Sequence, residues 1–241
     1  MKKISFFFIM SIFFLIVLLL GFYQSFIFRP YFRDTHLPFY LITHGILLII
    51  WFLVYFHQNY LVAKGKLISH QRNGKYWFVL AILITLANLN VLIFISKESI
   101  LEQETYYYQV RTIENVSPLV IGNLYLTLSS VGFLFVAYFK RLKKHVHKRA
   151  IFAVSLIWLQ PAWDRAIRPL KLNEIQEFLP FFIIYIIPVI LIVYDYIKLK
   201  RIMTVSVAFL IVELLTIPIV FTLIDLGLAE KIVLGIGRII I

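Results

Sequence analysis

Cysteine is absent. Disulfides, thiolate metal sites, iron–sulfur clusters and thiol nucleophiles are therefore excluded. Charge is scarce: 15% of residues are charged, against about 25% in a soluble domain. Acids are scarcer still, 12 Asp and Glu against 24 Lys and Arg. Several chemical signatures are missing too. There is no P-loop, no Gly-x-Ser-x-Gly, no His-Glu-x-x-His and no Rossmann fingerprint, so a soluble-type nucleotide site has no support. We see no internal repeat of the kind that builds many transporters.

What is present is apolar. Such residues make up 61% of the 241, and mean hydropathy is +0.90. Soluble domains run near 45–50%. An ordinary soluble enzyme, a disordered chain and a nucleic-acid-binding domain are excluded. The composition predicts an all-α, polytopic membrane protein, one transmembrane domain over residues 1–241.

A span needs about 20 mostly apolar residues. Segments 4–28, 37–60, 76–96, 118–139, 149–164, 178–197 and 204–225 qualify. The fifth is short and reaches only to Pro161 and a few residues beyond. The first resembles a secretory signal, but its apolar run is too long and lacks a small-x-small cleavage site, so it reads as an uncleaved helix. The tail from Gly227 is apolar but short and glycine-interrupted. It predicts an interfacial segment.

Seven spans place the termini on opposite sides, and the charge follows. One side collects fifteen basic residues against one acid, Asp195; the other collects nine against ten. Glu213 lies inside the last span. The positive-inside rule then puts the N-terminus in the cytoplasm and the C-terminus outside. Helix orientation and attraction to anionic lipid account for a net charge of +12 without nucleic acid. The longest loop, near 97–117, carries Tyr106-Tyr107-Tyr108, an aromatic cluster suited to the interface.

Polar groups inside apolar spans are expensive and need a reason. The second span carries His44, Leu48, Trp51, Tyr55 and Gln58 on one helical face. It reads either as a helix–helix hydrogen-bonding seam or as a ligand site. The third adds Thr85 and Asn88, which share a face. Glu213 sits near mid-span with no basic residue in its own helix. Its carboxyl must pair or stay neutral, and Arg165 and His44 are its candidate partners. Around Pro161, Gln160, Asp164, Arg165 and Arg168 cluster; Asp164 and Arg168 are i, i+4 and can pair. On the basic side, His57 and His70 flank the second span's end, His145 and His147 open the fifth, and Asp195 closes the sixth. His70, His147 and Asp195 are a candidate metal set, with zinc or iron as the ion. Two imidazoles from different helices could instead hold a haem iron axially.

The stretch His44-Gly45 … Trp51 … Gln58 … Leu61-Val62 … Gly65 … His70 … Gly74 resembles a pattern in a family of small bacterial multi-pass membrane proteins whose function is unassigned. His147-Lys148-Arg149, leading to Pro161-Ala162 and Arg165, resembles a second segment of that family, and Tyr194-Asp195 a third. Together they span roughly residues 37–200. Lys66 and Gln71 stand where the family has Arg, and Ala150 where it has Leu. The resemblance implies a bacterial cytoplasmic membrane. The histidine pattern is distantly similar to membrane b-type cytochromes, which implies haem b, or a quinone, at His44, His70 and His147. The expected function is thus redox or electron transfer. Two alternatives stand beside it: a small-solute carrier or channel with Glu213 and Arg165 on its path, or an assembly partner of a membrane complex. The bilayer is the expected partner in every case.

Overall fold

A computed structural model describes residues 5–32, 34, 36–101, 112–167 and 175–240; the side chains of Asp164 and of 175–184 lie outside that description. Every element found is helical. They are α1 (Phe6–Phe22), α2 (Phe39–Ala63), α3 (Leu67–Ile100), α4 (Ile113–Phe139), α5 (Lys144–Ile167), α6 (Ile175–Leu199), α7 (Thr204–Asp225) and α8 (Leu228–Gly237). A π turn, Tyr23–Ile27, extends α1, and 3-10 turns follow at Arg29–Tyr31 and Arg238–Ile240. Helices are the expected answer to long apolar runs. Inside a bilayer each backbone N–H and C=O must be satisfied within its own segment. Among the described residues five helices are long and apolar enough to cross a membrane: Phe6–Ile27, α2, α3, α4 and α7.

Local chemistry sets the ends. Thr112 caps α4, its hydroxyl accepting from the Asn115 N–H at 3.2 Å. Gly65 takes φ +76° just after α2. That lets the Lys66 N–H reach back to the Leu61 carbonyl at 2.8 Å and close the helix. Gly227, at φ +62°, turns α7 into α8 in the same way.

Contacts between helix ends fix the directions. The Tyr40 hydroxyl, in the first turn of α2, donates to Glu98 in the last turn of α3 at 2.7 Å. At the other end, His147 of α5 meets the Ala137 carbonyl of α4, and Ser206 of α7 meets Asp195 of α6. Lys148 lies over the Phe7 ring at the start of α1. The seven long helices therefore alternate in direction. The starts of α1, α3, α5 and α7 share one end with the basic loops, and Asp195 is the one acid there.

α5 is the hub. It packs against α1, α2, α4, α6 and α7, and every residue from Phe152 to Leu159 is buried. A helix covered all round lies in the core. The expectation of a short fifth span ending near Pro161 is corrected. The helix runs on to Ile167 through Pro161. Its few polar residues are carried because neighbouring helices, not lipid, surround them. α1, by contrast, shows Ile9, Ile16, Leu19 and Leu20 outward. The tail forms a short helix: α8 packs on α3, α4 and α7 and buries Ala229, Val233 and Gly237. The triple tyrosine lies outside the described residues.

α1 and α5 approach closely at Gly21. A Cβ there would stand 2.2 Å from the Ala162 carbonyl oxygen. Gly132, in α4, has nothing within 4 Å of that position. We expect Gly21→Ala to lower the melting temperature of the detergent-purified protein, at an overpacking cost of about 1–3 kcal/mol. Gly132→Ala should raise it slightly, by about 0.5–1 kcal/mol of helix propensity. Equal shifts would contradict the close approach.

Candidate functional site

The α2 stripe and α5 meet along one seam. Residues 44, 51 and 58 are seven apart and share a face of α2. At mid-depth the Trp51 Nε1–H donates to the Ser155 hydroxyl at 3.1 Å. The Trp51 and Trp158 rings meet edge to face, 4.8 Å between centroids. Trp158 in turn donates to Ser130 of α4 at 3.2 Å. Two indole N–H groups thus find hydroxyl partners where lipid and water supply none.

Toward the basic end the stripe reaches Gln58. With its amide turned so that both ends are paired, Gln58 donates to His70 Nδ1 at 2.6 Å and accepts from Trp77 Nε1 at 3.0 Å. His70 sits in the first turn of α3, not in a loop. Its Nδ1 accepts, so its ring proton is on Nε2. His147 is the reverse. Its Nδ1 is 2.8 Å from the Ala137 carbonyl oxygen, which can only accept, so the proton is on Nδ1 and Nε2 carries a lone pair. Burial holds this imidazole below its ordinary pKa. The two rings lie 6.4 Å apart.

Toward the other end stands His44, with Nδ1 buried and without a hydrogen-bond partner among the described residues. It is fourteen residues from Gln58, about 21 Å along the helix. His44 therefore does not join His70 and His147. Arg165, one heptad beyond Trp158, lies over the Phe22 ring at 4.9 Å. Asn88 is half-buried on α3 and joins none of these groups. The Asp164 side chain and Arg168 lie outside the described residues.

Asp195 is elsewhere engaged. It is fully buried with Arg149. The Arg149 Nε–H is 2.8 Å from both carboxylate oxygens, and Nη2 also donates to Oδ1. Arg149 Nη1 donates to the His145 carbonyl at 2.7 Å, and the Ser206 hydroxyl donates to Asp195 Oδ2 at 2.6 Å. The metal expectation is corrected on this geometry. Among the described residues no three His, Asp or Glu side chains converge as metal ligands, because Arg149 and Ser206 take the carboxylate. Haem fits half of the pair. His147 presents a lone pair with its other nitrogen anchored, as an axial ligand must. The His70 lone pair is taken by the Gln58 amide, so this ring does not match the second ligand a haem would need.

Glu213 is the second buried acid, 1% exposed. Neither expected partner, Arg165 nor His44, holds it. Gln160 of α5 does: its Nε2 lies 3.1 and 2.9 Å from the two carboxylate oxygens. A single amide nitrogen thus serves both oxygens. Tyr125 of α4 and Tyr185 of α6 are within electrostatic reach, and the Tyr125 hydroxyl donates to the Val212 carbonyl beside it. Glu213 lies nine residues into α7, about 14 Å along a helix about 33 Å long. Asp195 has a counter-charge; Glu213 has a neutral amide. Only the second can take up a proton without breaking an ion pair.

Sequence reasoning missed Arg149 and Gln160 as the partners of the two acids. Arg149 belongs to the fifteen basic residues assigned to one side, although the apolar run from Ala150 follows it at once. That adjacency was the available signal. Set against known proteins, the chain matches no family model, no curated protein and no solved structure.

We expect Arg149→Met to cost about 3–5 kcal/mol, since it leaves Asp195 buried and unpaired. Arg149→Met with Asp195→Leu should recover most of that loss. Thermal melting in detergent checks both; a double variant as unstable as the single would show that the pair is not the cause.

Proposed function

We propose that the protein is a seven-span integral membrane protein of the bacterial cytoplasmic membrane that moves a small solute or ion, with Glu213 as the group that takes up and releases a proton. The N-terminus faces the cytoplasm and the C-terminus the outside. The observation that carries the reading is the buried Glu213 carboxyl. It sits toward the middle of α7 and is held by a neutral amide. A bilayer core is about 30 Å thick, and an ionisable group in it is functional by default. The alternating helices and the gathering of basic loops at one end support the orientation. The bacterial setting rests on the resemblance of the His44–Gly74 and His147–Arg165 segments.

The redox reading through haem or quinone at His44, His70 and His147 is supported less well. One ring of the three presents a lone pair beside a second imidazole, and His44 lies a helix-half away. A colourless, iron-free protein is expected on purification. A reducible b-type band lost in His147→Ala would replace the transport reading.

The direct test uses proteoliposomes holding a trapped pH dye. An imposed membrane potential should drive proton entry through the wild type. Glu213→Gln, folded and reconstituted equally, should lose at least about tenfold of that rate, which is 1.4 kcal/mol in barrier terms. Equal rates in both would remove Glu213 from the mechanism.

A further inference from the structure

Lys144 and Lys148 lie within one turn of His145 at the start of α5, and the Arg149–Asp195–Ser206 contacts bring the α6–α7 connection, which carries Arg201, to the same end. His145 Nδ1 is buried and has no hydrogen-bond partner among the described residues. Lys148, Arg149, Lys144 and Arg201 all act on that ring electrostatically. Arg149 is neutralised by Asp195. The other three make no ion pair among the described residues, where Asp195 is the one acid at this end and Arg149 and Ser206 hold both of its oxygens. Lys144 and Arg201 are exposed, whereas Lys148 is half-buried with its ammonium 4.5 Å over the Phe7 ring.

This crowding costs free energy. Burial, with Arg149 and Lys144 beside it, pushes the Lys148 ammonium down to about 8, against the pull of Asp195. Burial and the same cations push the His145 imidazole down as well. The amino end of α5 adds its own partial positive charge. Orienting helices requires basic residues in a loop; it does not require three of them around one buried nitrogen. An anion with several acceptor oxygens would relieve the repulsion and satisfy the donors together. Phosphate offers that number of acceptors, and an Arg fork grips it bidentately. The leaflet on this side is also the one richer in anionic lipid.

We propose that Lys144, His145, Lys148 and Arg201 form a binding site for a phosphate group, carried by a lipid headgroup or by a free phosphate. The lysines and Arg201 supply charge and donors, and His145 adds a ring nitrogen without a hydrogen-bond partner among the described residues. The site stands apart from Glu213 and does not depend on the transport reading.

The test uses the full chain in neutral detergent. Native mass spectrometry and thermal melting are followed with two probes in turn, inorganic phosphate and a short-chain phosphatidylglycerol. The variant K148Q/R201Q is compared with K66Q/K75Q, which removes the same charge at the same end of the molecule. Binding of one probe should weaken at least about tenfold in the first variant and stay within about twofold in the second. Phosphatidylglycerol alone binding marks a lipid headgroup site; inorganic phosphate binding as well marks a site for free phosphate. Should K148Q/R201Q not fold, K144Q/R201Q, which alters two exposed side chains, takes its place with the same expectation. No binding of either probe to the wild type, or equal loss in both variants, overturns the proposal and leaves a diffuse positive surface.

Discussion

The buried pair of Arg149 and Asp195 sets the terms for the end of the bundle that carries the basic loops. Taking two charges out of water is costly, and the cost is offset only when geometry and extra hydrogen bonds are good. Here both conditions hold. The guanidinium meets both carboxylate oxygens, its remaining nitrogen finds the His145 carbonyl, and Ser206 completes the carboxylate. The pair therefore fixes three things together: the rotation of α5, the end of α6 and the start of α7. Phe7 of α1, whose ring lies 5.7 Å from the guanidinium carbon, closes the group. An apolar seam alone would let these helices slide or rotate, since lipid is as apolar as the helix faces. A charge pair with directional donors does not.

With that end fixed, the contrast between the two buried acids acquires meaning. Asp195 faces a full positive charge, the Arg149 guanidinium. Glu213, roughly 10 Å further along α7 from Ser206, faces an amide that is neutral in every state. Two like side chains in one bundle are given different surroundings by their neighbours, and the proposed role of Glu213 rests on that difference. Between them lies an aromatic layer: Phe209 contacts Phe133 and Phe152, edge to face. That layer separates the Asp195–Arg149 pair from Glu213. The Trp51–Ser155 and Trp158–Ser130 contacts do the same work of satisfaction on the far side of α5, and leave no indole donor of that pair unpaired.

Much of the architecture was legible. Long apolar runs named most helices, and the alternation of basic and acidic loops gave their directions. The His44–Trp51–Gln58 stripe marked a buried face of α2, and it meets α5 at Trp51 and α3 at Gln58. The illegible parts share a cause. Hydropathy measures what a helix shows to lipid, and α5 shows almost nothing to lipid, so the most central helix read as the weakest span. α3 runs to 34 residues, but its first turns are polar and hold Gly74, which hid the helix that carries His70. Which side chain meets Glu213 depends on the depth and rotation of a second helix. No single-helix pattern encodes those, so Gln160 stood in plain view beside Pro161 without being paired. Arg149 was hidden differently: its charge was read as a loop signal, although its backbone already belongs to the buried helix.

Proton exchange at Glu213 inside the bilayer is tested most directly by infrared difference spectroscopy of the reconstituted protein through a pH titration. A protonated-carboxylic-acid band should appear as pH falls in the wild type and be missing in Glu213→Gln, with the amide bands unchanged in both. A wild type without such a band, or a band of equal size in the variant, would contradict the account.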